Sequence, residues 1–389
     1  MTPRPMKIFL VAGEASADLH GAALLAELKK IHPDLHCFGV GGSELKKSGM
    51  NVVVEAHSLS IVGLGGLGEK FGEILKSLKK LKSLIKDEKP DIAVLLDLPD
   101  FNLHLAKFIR KQKIPVVYYI SPQVWAWRGY RVHRIRRDVK KMLVLFPFEK
   151  KFYAEHKIPA EFVGHPLLER IQPRKTYRSQ TEIAAAPRIA LLPGSRRSEV
   201  GFHSPILKEL MEKVRSKYPA ATFQIPVAST VSRDQFELFQ DPAVELIDGN
   251  AHSVVRWSDL AVVASGTATL ETALIGTPLA LFYVISRSNA FVFKHIARYR
   301  GFLGMPNLLL GEEVIKEFFQ EKAKANLIFP EIERLIENEA YRLEMTNSLR
   351  QCRSLLGAEG ASRRAAFQVF QTLTEKISLS GLSFAPKHA

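Results

Sequence analysis

Two stretches constrain this chain most: LLPGSRRSEV from Leu191 to Val200, and ASGTATLETA from Ala264 to Ala273. Each has an apolar, strand-like lead-in, a turn of small residues and then helix-forming sequence. That order puts the amides of a helix N-terminus at the end of a strand, an arrangement suited to phosphate. Arg196 adds a cationic fork beside the first turn, and Glu271 lies one helical turn beyond the second, where a carboxylate accepts ribose hydroxyls. Either turn alone is an ordinary strand–helix connection, since Gly and Ser are the default residues there. Their recurrence in one half of the chain points to a nucleoside diphosphate held by Gly194, Ser195, Arg196, Ser265, Gly266, Thr267 and Glu271. Neither turn has the Gly-Lys-Ser/Thr of a Walker loop or the GxGxxG of a dinucleotide site.

The surrounding sequence is α/β. Lys7 to Val11, Cys37 to Val40, Ile92 to Asp97, Val116 to Ile120 and Met142 to Phe146 read as strands of almost continuous apolarity, which fits a parallel sheet covered on both faces. A second series follows at Ile189 to Leu192, Phe223 to Pro226, Val244 to Ile247, Leu260 to Ala264 and Leu279 to Tyr283. The expected fold is two Rossmann-like doubly wound domains facing a cleft. The first spans residues 1–175 and the second 176–360, with a linker in the polar stretch Gln172 to Pro187. A helix over 361–376 is expected to cross back to the first domain, leaving 377–389 as a loose tail.

With 389 residues, 46% of them hydrophobic, the chain can bury two cores. Its only cysteines, Cys37 and Cys352, form no CxxC and no His cluster, so neither a disulfide framework nor a metal site is expected, and the setting is a reducing cytoplasm. The apolar start MKIFLVAG is interrupted by Glu14 and Asp18 and reads as a strand rather than a signal peptide. No run of about eighteen apolar residues occurs.

The net charge of +15 implies an anionic partner. Lys76, Lys79, Lys80, Lys82 and Lys86 interleave with Phe71, Ile74, Leu75, Leu78, Leu81 and Ile85 at helical spacing. This pattern fits a membrane-surface helix, or a domain helix that buries the stripe and turns its lysines to water. Arginines from Arg128 to Arg137 follow Trp125 and Trp127, and Phe291 to Phe302 mixes three phenylalanines with Lys294, Arg298 and Arg300. Three patches that are apolar as well as basic favour an anionic membrane surface over nucleic acid.

After the strand Ile92 to Leu96 comes Asp97-Leu98-Pro99-Asp100-Phe101-Asn102. The strand end turns Asp97 toward the cleft as a candidate general base, while Asp100 stands where a helix cap is expected. His165, beside Pro166, reads as a structural hydrogen-bonding residue. Trp125 and Trp127 suit core packing and substrate contact alike.

GEASADLHGA from Gly13 to Ala22, DLPDFN from Asp97, YYISPQVWAWR from Tyr118, LFPFEKKFY from Leu145, FVGHPL from Phe162, the two turns above and MPNLL from Met305 occur in this order. The series resembles the lipid A disaccharide synthase family of bacterial glycosyltransferases, over roughly Lys7 to Arg353. The resemblance implies a GT-B fold and an inverting transfer of 2,3-diacylglucosamine from its UDP donor to the 6-hydroxyl of 2,3-diacylglucosamine 1-phosphate, lipid X. The products are the β-1,6-linked disaccharide and UDP. It implies Asp97 as the base, Arg196 with Gly194 and Ser195 on the diphosphate, and Glu271 and Asn307 near UDP. The first turn, with Glu14, Ser16 and Asp18, would face the acceptor.

By the same resemblance no metal or other cofactor is needed, and the enzyme is cytoplasmic, peripheral on the inner face of the inner membrane; a homodimer is permitted. Two positions depart from the family pattern: Ala17, where glycine is expected, and Gly66, where a glutamate is usual. A UDP-sugar epimerase or a glycosyltransferase of soluble substrates would share the nucleotide turns. A non-catalytic basic lipid- or nucleic-acid-binding protein would share the charge, but it leaves Asp97, Arg196 and Glu271 without a joint role.

Overall fold

The computed structural model describes residues 5–59, 67–126, 128–285 and 301–379. The chain divides into two compact units, one of Met1–Pro166 with Gly357–Ala389 and the other of Leu167–Leu356.

The first unit is built on a parallel sheet of seven strands: β1 (Lys7–Ala12), β2 (His36–Gly41), β3 (Asn51–Glu55), β4 (Ile92–Leu96), β5 (Val116–Tyr119), β6 (Lys141–Val144) and β7 (Ala160–Phe162), in the order β3-β2-β1-β4-β5-β6-β7. Alternate residues supply opposite faces, as the two-residue period of a strand requires. Phe9, Val11 and Leu95 enter one core, and Ile8, Leu10, Val94 and Leu96 the other. The helices Leu67–Glu88 and Pro99–Lys111 cover the first face through Leu81, Ile85, Ala106 and Ile109. The helices Ala15–Ile31 and Ala361–Leu379 cover the second through Leu24, Leu25, Leu28, Ala365, Val369 and Leu373. The C-terminal helix is thus part of the first unit's core.

The second unit carries a six-stranded parallel sheet: β8 (Arg188–Leu192), β9 (Thr222–Val227), β10 (Val244–Asp248), β11 (Leu260–Ala264), β12 (Leu279–Tyr283) and β13 (Glu317–Phe319), in the order β10-β9-β8-β11-β12-β13. In both sheets the strand order reverses beside the first strand, between β1 and β4 and between β8 and β11. An open doubly wound sheet leaves a crevice at the carboxyl ends of such a pair.

Three strands, β3, β7 and β13, are additional to those expected. All lie at sheet edges, and β7 and β13 have only three residues each. The stretch assigned to a linker is bonded into the second unit: Arg174 donates from its backbone N–H to Ile275, and Ser179 caps a helix Gln180–Ala185.

The basic helix Leu67–Glu88 resolves the two readings of its stripe from Ile74 onward. Leu81 and Ile85 are buried and Ile74, Leu78 and Leu84 pack against the core, while Leu75, alone of the stripe's described side chains, is exposed together with Lys76, Lys79 and Lys86. Among the described residues no helix is long and apolar enough to cross a membrane. Gly66, Trp127 and the basic segment from Phe291 up to Arg300 lie outside the described residues.

Candidate active site

At the β8/β11 switch point of the second unit a cavity of about 430 Å³ opens, lined by both small-residue turns. Gly194, Ser195, Arg196, Ser265, Gly266, Thr267 and Glu271 all border it. Gly194 has φ 112°, and a Cβ there would sit 2.6 Å from a Glu199 carboxylate oxygen, so the first turn requires glycine for shape as well as conformation. Gly266 has φ 151° and leads into the helix Thr267–Ile275 with no side-chain cap. The Thr269 amide already donates to the Gly266 carbonyl at 3.1 Å, so it is the amides of Thr267 and Ala268, which precede any intrahelical acceptor, that are available to an anion.

The first turn differs from the open cradle its sequence suggests. Glu199 accepts hydrogen bonds from the amides of Ser195 (3.1 Å) and Arg196 (3.2 Å), and from the Arg196 guanidinium (2.8 Å). The Tyr283 hydroxyl donates to the same carboxylate at 3.2 Å. An internal anion therefore occupies donors that were expected to be free. Four residues further along the helix, buried His203 pins the turn. Its Nδ1 lies 2.6 Å from the Pro193 carbonyl, and its Nε2 accepts from the Val284 amide at 3.0 Å. Nε2 also lies 3.2 Å from the Val284 carbonyl, and burial pushes the imidazole below its usual pKa. Glu199, on the cavity wall, and His203, which holds the turn, are not singled out by the sequence. Their i,i+4 spacing, which places both on one helix face, was the available signal.

Glu271 is three-quarters buried on the cavity wall, with the His252 Nε2 3.4 Å from its carboxylate. Asn307 does not border the cavity. It is fully buried, donates to the Ile315 carbonyl and Glu317 (2.8 Å each), and accepts from the amides of Val314 (2.8 Å) and Ile315 (2.9 Å). Its amide is saturated, so it acts by fixing the loop after the helix Met305–Leu310.

In the first unit Asp97 stands at the β1/β4 switch point, immediately after β4. Asp97 (φ 48°) and Leu98 (φ 43°) both adopt the left-handed conformation, and β-branched Ile120 at the end of β5 has φ 67°. Such strain persists only where the surroundings impose it. Here the Asp97 carbonyl accepts from the Tyr118 hydroxyl and from the buried Asn102 amide (2.7 Å), which also donates to Leu96 at 3.0 Å. The clamp holds the backbone and leaves the carboxylate to other partners. Burial raises the Asp97 carboxyl to about 6, the Glu14 carboxylate adds to the rise, and the Leu98 amide opposes it. A carboxyl tuned this way is poised to exchange a proton near neutrality.

Glu14 and Ser16 are exposed at the start of the helix after β1. Asp18 is buried, and its carboxylate accepts from the amides of Gly42 (2.7 Å), Glu44 (2.9 Å) and Leu45 (3.3 Å), so it caps the next helix. Ala17 is helical and buried in the core, where its methyl group fits. Asp100 is not the helix cap: the helix Pro99–Lys111 begins after Leu98, and Asp100 pairs with Arg128 (2.9 Å) and Arg131. Pro99 moves the helix start forward, because its fixed φ suits the first helical position. Burial, with His20 nearby, drives His165 down to about 3, consistent with a structural residue.

A second missed residue group lies at the ends of β5 and β6. Glu149 is buried and accepts from the amides of Leu145 (3.3 Å) and Phe146 (3.2 Å) and from the Trp125 indole (3.3 Å). Burial pushes its carboxyl to about 7 against these bonds. Phe148 packs edge-on against Trp125 at 5.0 Å, so Trp125 is held in the fold of this unit. Among the described residues no group of three or more His, Cys, Asp or Glu could hold a metal ion.

Two parallel α/β sheets, the second with a switch-point cavity lined by two small-residue strand–helix turns, define the GT-B class. Solved structures share this fold: a UDP-GlcNAc 2-epimerase from Neisseria meningitidis (TM-score 0.62, 15% identity, 95% of this chain and 100% of that one) and MurG from Acinetobacter baumannii (TM-score 0.56, 12% identity, 94% and 99%). The family model described as lipid-A-disaccharide synthetase matches residues 8–370. The lipid-A-disaccharide synthase of Anaeromyxobacter dehalogenans strain 2CP-C is 40% identical over 370 residues, 93% of this chain and 96% of the relative. That of Koribacter versatilis is 38% identical over 385 residues, 95% and 100%. The chain belongs to the lipid-A-disaccharide synthase family. It is a glycosyltransferase with lipid-A-disaccharide synthase activity in lipid A biosynthesis.

Proposed function

We propose that the enzyme inverts configuration as it moves 2,3-diacylglucosamine from UDP to the 6-hydroxyl of 2,3-diacylglucosamine 1-phosphate. The second unit takes the UDP-sugar and the first takes the acceptor. Asp97 accepts the proton of the attacking hydroxyl, the new glycosidic C–O bond forms in line, and the bond to the UDP oxygen breaks. Arg196 and the amides of the two turns stabilise the negative charge on the departing diphosphate. Glu271 accepts ribose hydroxyls, and Glu199 yields the Ser195 and Arg196 amides to the diphosphate. Glu14, Ser16 and the turn held by Asp18 face the acceptor. No metal enters this scheme.

The observation that carries this reading is the pairing of a raised carboxyl, Asp97, at one switch point with an arginine-bearing cavity at the other. The test is UDP release by purified protein with both acylated substrates in detergent. Release is expected to need the acylated acceptor and to persist in EDTA. Release without acceptor, or none in EDTA, would contradict the scheme.

Both substrates carry acyl chains and phosphate, so the same reading places the enzyme on the anionic inner face of the inner membrane. Exposed lysines of the helix Leu67–Glu88 provide the contact, with exposed Leu75 beside them, since Ile74, Leu78, Leu81, Leu84 and Ile85 are committed to the core. Each lysine near such a surface contributes about 1 kcal/mol. Changing Lys76, Lys79 and Lys86 together to Glu is therefore expected to weaken binding to phosphatidylglycerol vesicles by about 100-fold or more. Unchanged sedimentation with those vesicles would remove this helix from the membrane contact.

A further inference from the structure

The second unit has another cavity, about 520 Å³ in volume, at the amino-terminal edge of its sheet. Arg188, the first residue of β8, borders it, whereas the residues after the last strand position, Leu192, form the phosphate turn. The two cavities thus lie at opposite ends of one strand. Five cations line the second cavity: Arg174, Lys175, Arg178, Arg188 and Arg256. No carboxylate does.

Three of these cations are committed to the protein. Arg178 pairs with the buried Asp259 carboxylate at 2.7 Å, Arg256 donates to the Gln172 carbonyl at 2.7 Å, and Arg174 donates to the carbonyls of Ser258 (2.5 Å) and Thr176 (2.8 Å). Among the described residues neither the Arg188 guanidinium nor the Lys175 ammonium has a hydrogen-bond acceptor; Arg188 lies 5.8 Å over the Trp257 ring. Burial pushes Arg174 below the usual guanidinium range, Asp259 opposes that, and Arg178 and Arg188 add to it. Asp259 is the one buried carboxylate beside this cluster among the described residues, and its Oδ2 already serves both Arg178 and the Arg188 amide.

Five cations line the cavity, while, among the described residues, the carboxylates that act on them are the buried Asp259 and the exposed Glu182, so a positive excess remains that a bound anion would offset. Guanidinium forks match the oxygens of a phosphate group, and Arg174 and Arg188 lie over the rings of Tyr177 and Trp257, which also border the cavity. We infer that this cavity binds a phosphate ester, at a site separate from the nucleotide cavity. The ester is either a soluble phosphorylated compound or the headgroup of an anionic lipid.

The test uses the full-length protein and a double variant, Lys175→Gln with Arg188→Gln, which leaves the Arg178–Asp259 pair intact. Inorganic phosphate is titrated calorimetrically, and vesicles of phosphatidylglycerol with phosphatidylcholine are compared with phosphatidylcholine alone. At least one probe is expected to bind the wild type and to bind the double variant about tenfold or more weakly, while Arg196→Ala leaves that binding in place. Loss of inorganic phosphate binding assigns a soluble ester. Loss confined to phosphatidylglycerol vesicles assigns a lipid headgroup. Wild-type binding of neither probe, or equal binding by wild type and double variant, overturns the site. Melting temperature reports folding, and Lys175→Glu alone, on an exposed segment, reads the same loss if the double variant does not fold.

Discussion

Asp97→Asn is expected to lower kcat by about 10²–10⁴-fold, the usual range for loss of a positioned general base, with little change in donor affinity. The wild-type rate should carry the signature of the same group. Its carboxyl is raised to about 6, and only the ionised form can take the acceptor proton. The rate should therefore rise with pH up to about 6 and level off above it, and the variant should lack that limb. Stability should move in the opposite sense. A carboxyl whose folded pKa lies above the unfolded value favours folding most at low pH, and that contribution is lost as pH rises through about 6. At pH 7.5 the variant should consequently melt at or above the wild-type temperature, with the gap closing toward pH 4. A variant with near wild-type kcat would remove Asp97 from the chemistry. A large drop in melting temperature would make its role structural.

Arg196→Ala is expected to reduce kcat/KM by about 10²–10³-fold, the scale on which a donor to a departing oxyanion acts. Arg196→Lys should recover only part of this, since an ammonium cannot reproduce a bidentate fork. The side chain is 55% exposed and its partner Glu199 is three residues away. Exposed pairs of this kind contribute only a few tenths of a kcal/mol to folding, so the melting temperature should scarcely move. Steady-state rates over a range of donor concentration, with calorimetric binding of UDP, separate the two effects. Wild-type UDP affinity together with a wild-type rate in Arg196→Ala would place the diphosphate elsewhere.

Much of this architecture was legible because its signals are local. Continuous apolar runs such as Ile92–Leu96 need cover on both faces, which selects a parallel sheet with helices on each side. The strand–turn–helix order around Gly194 and Gly266 identified the cavity wall, and a carboxylate directly after a strand marked Asp97. The edge strands were not legible. Ala160–Phe162 and Glu317–Phe319 are too short to show a period and are half exposed, so their pairing depends on the neighbouring strand.

The site residues show where such reading stops. Asp18, Asn307 and Glu199 have side chains suited to a ligand, and each is instead bonded to the protein's own amides. Asp18 finds its donors 24 to 27 residues away, so no spacing in the chain announces them. Gln172–Arg178 likewise has the composition of a linker, yet it supplies Arg174, Lys175 and Arg178 to a cavity shared with Arg188 and Arg256. The sequence alone determined the two doubly wound sheets and the turns at their carboxyl ends, because apolar periodicity and turn chemistry act over a few residues. Only the tertiary structure decided which polar groups remain for ligands, because a buried donor or acceptor must find a partner wherever the fold brings one within reach.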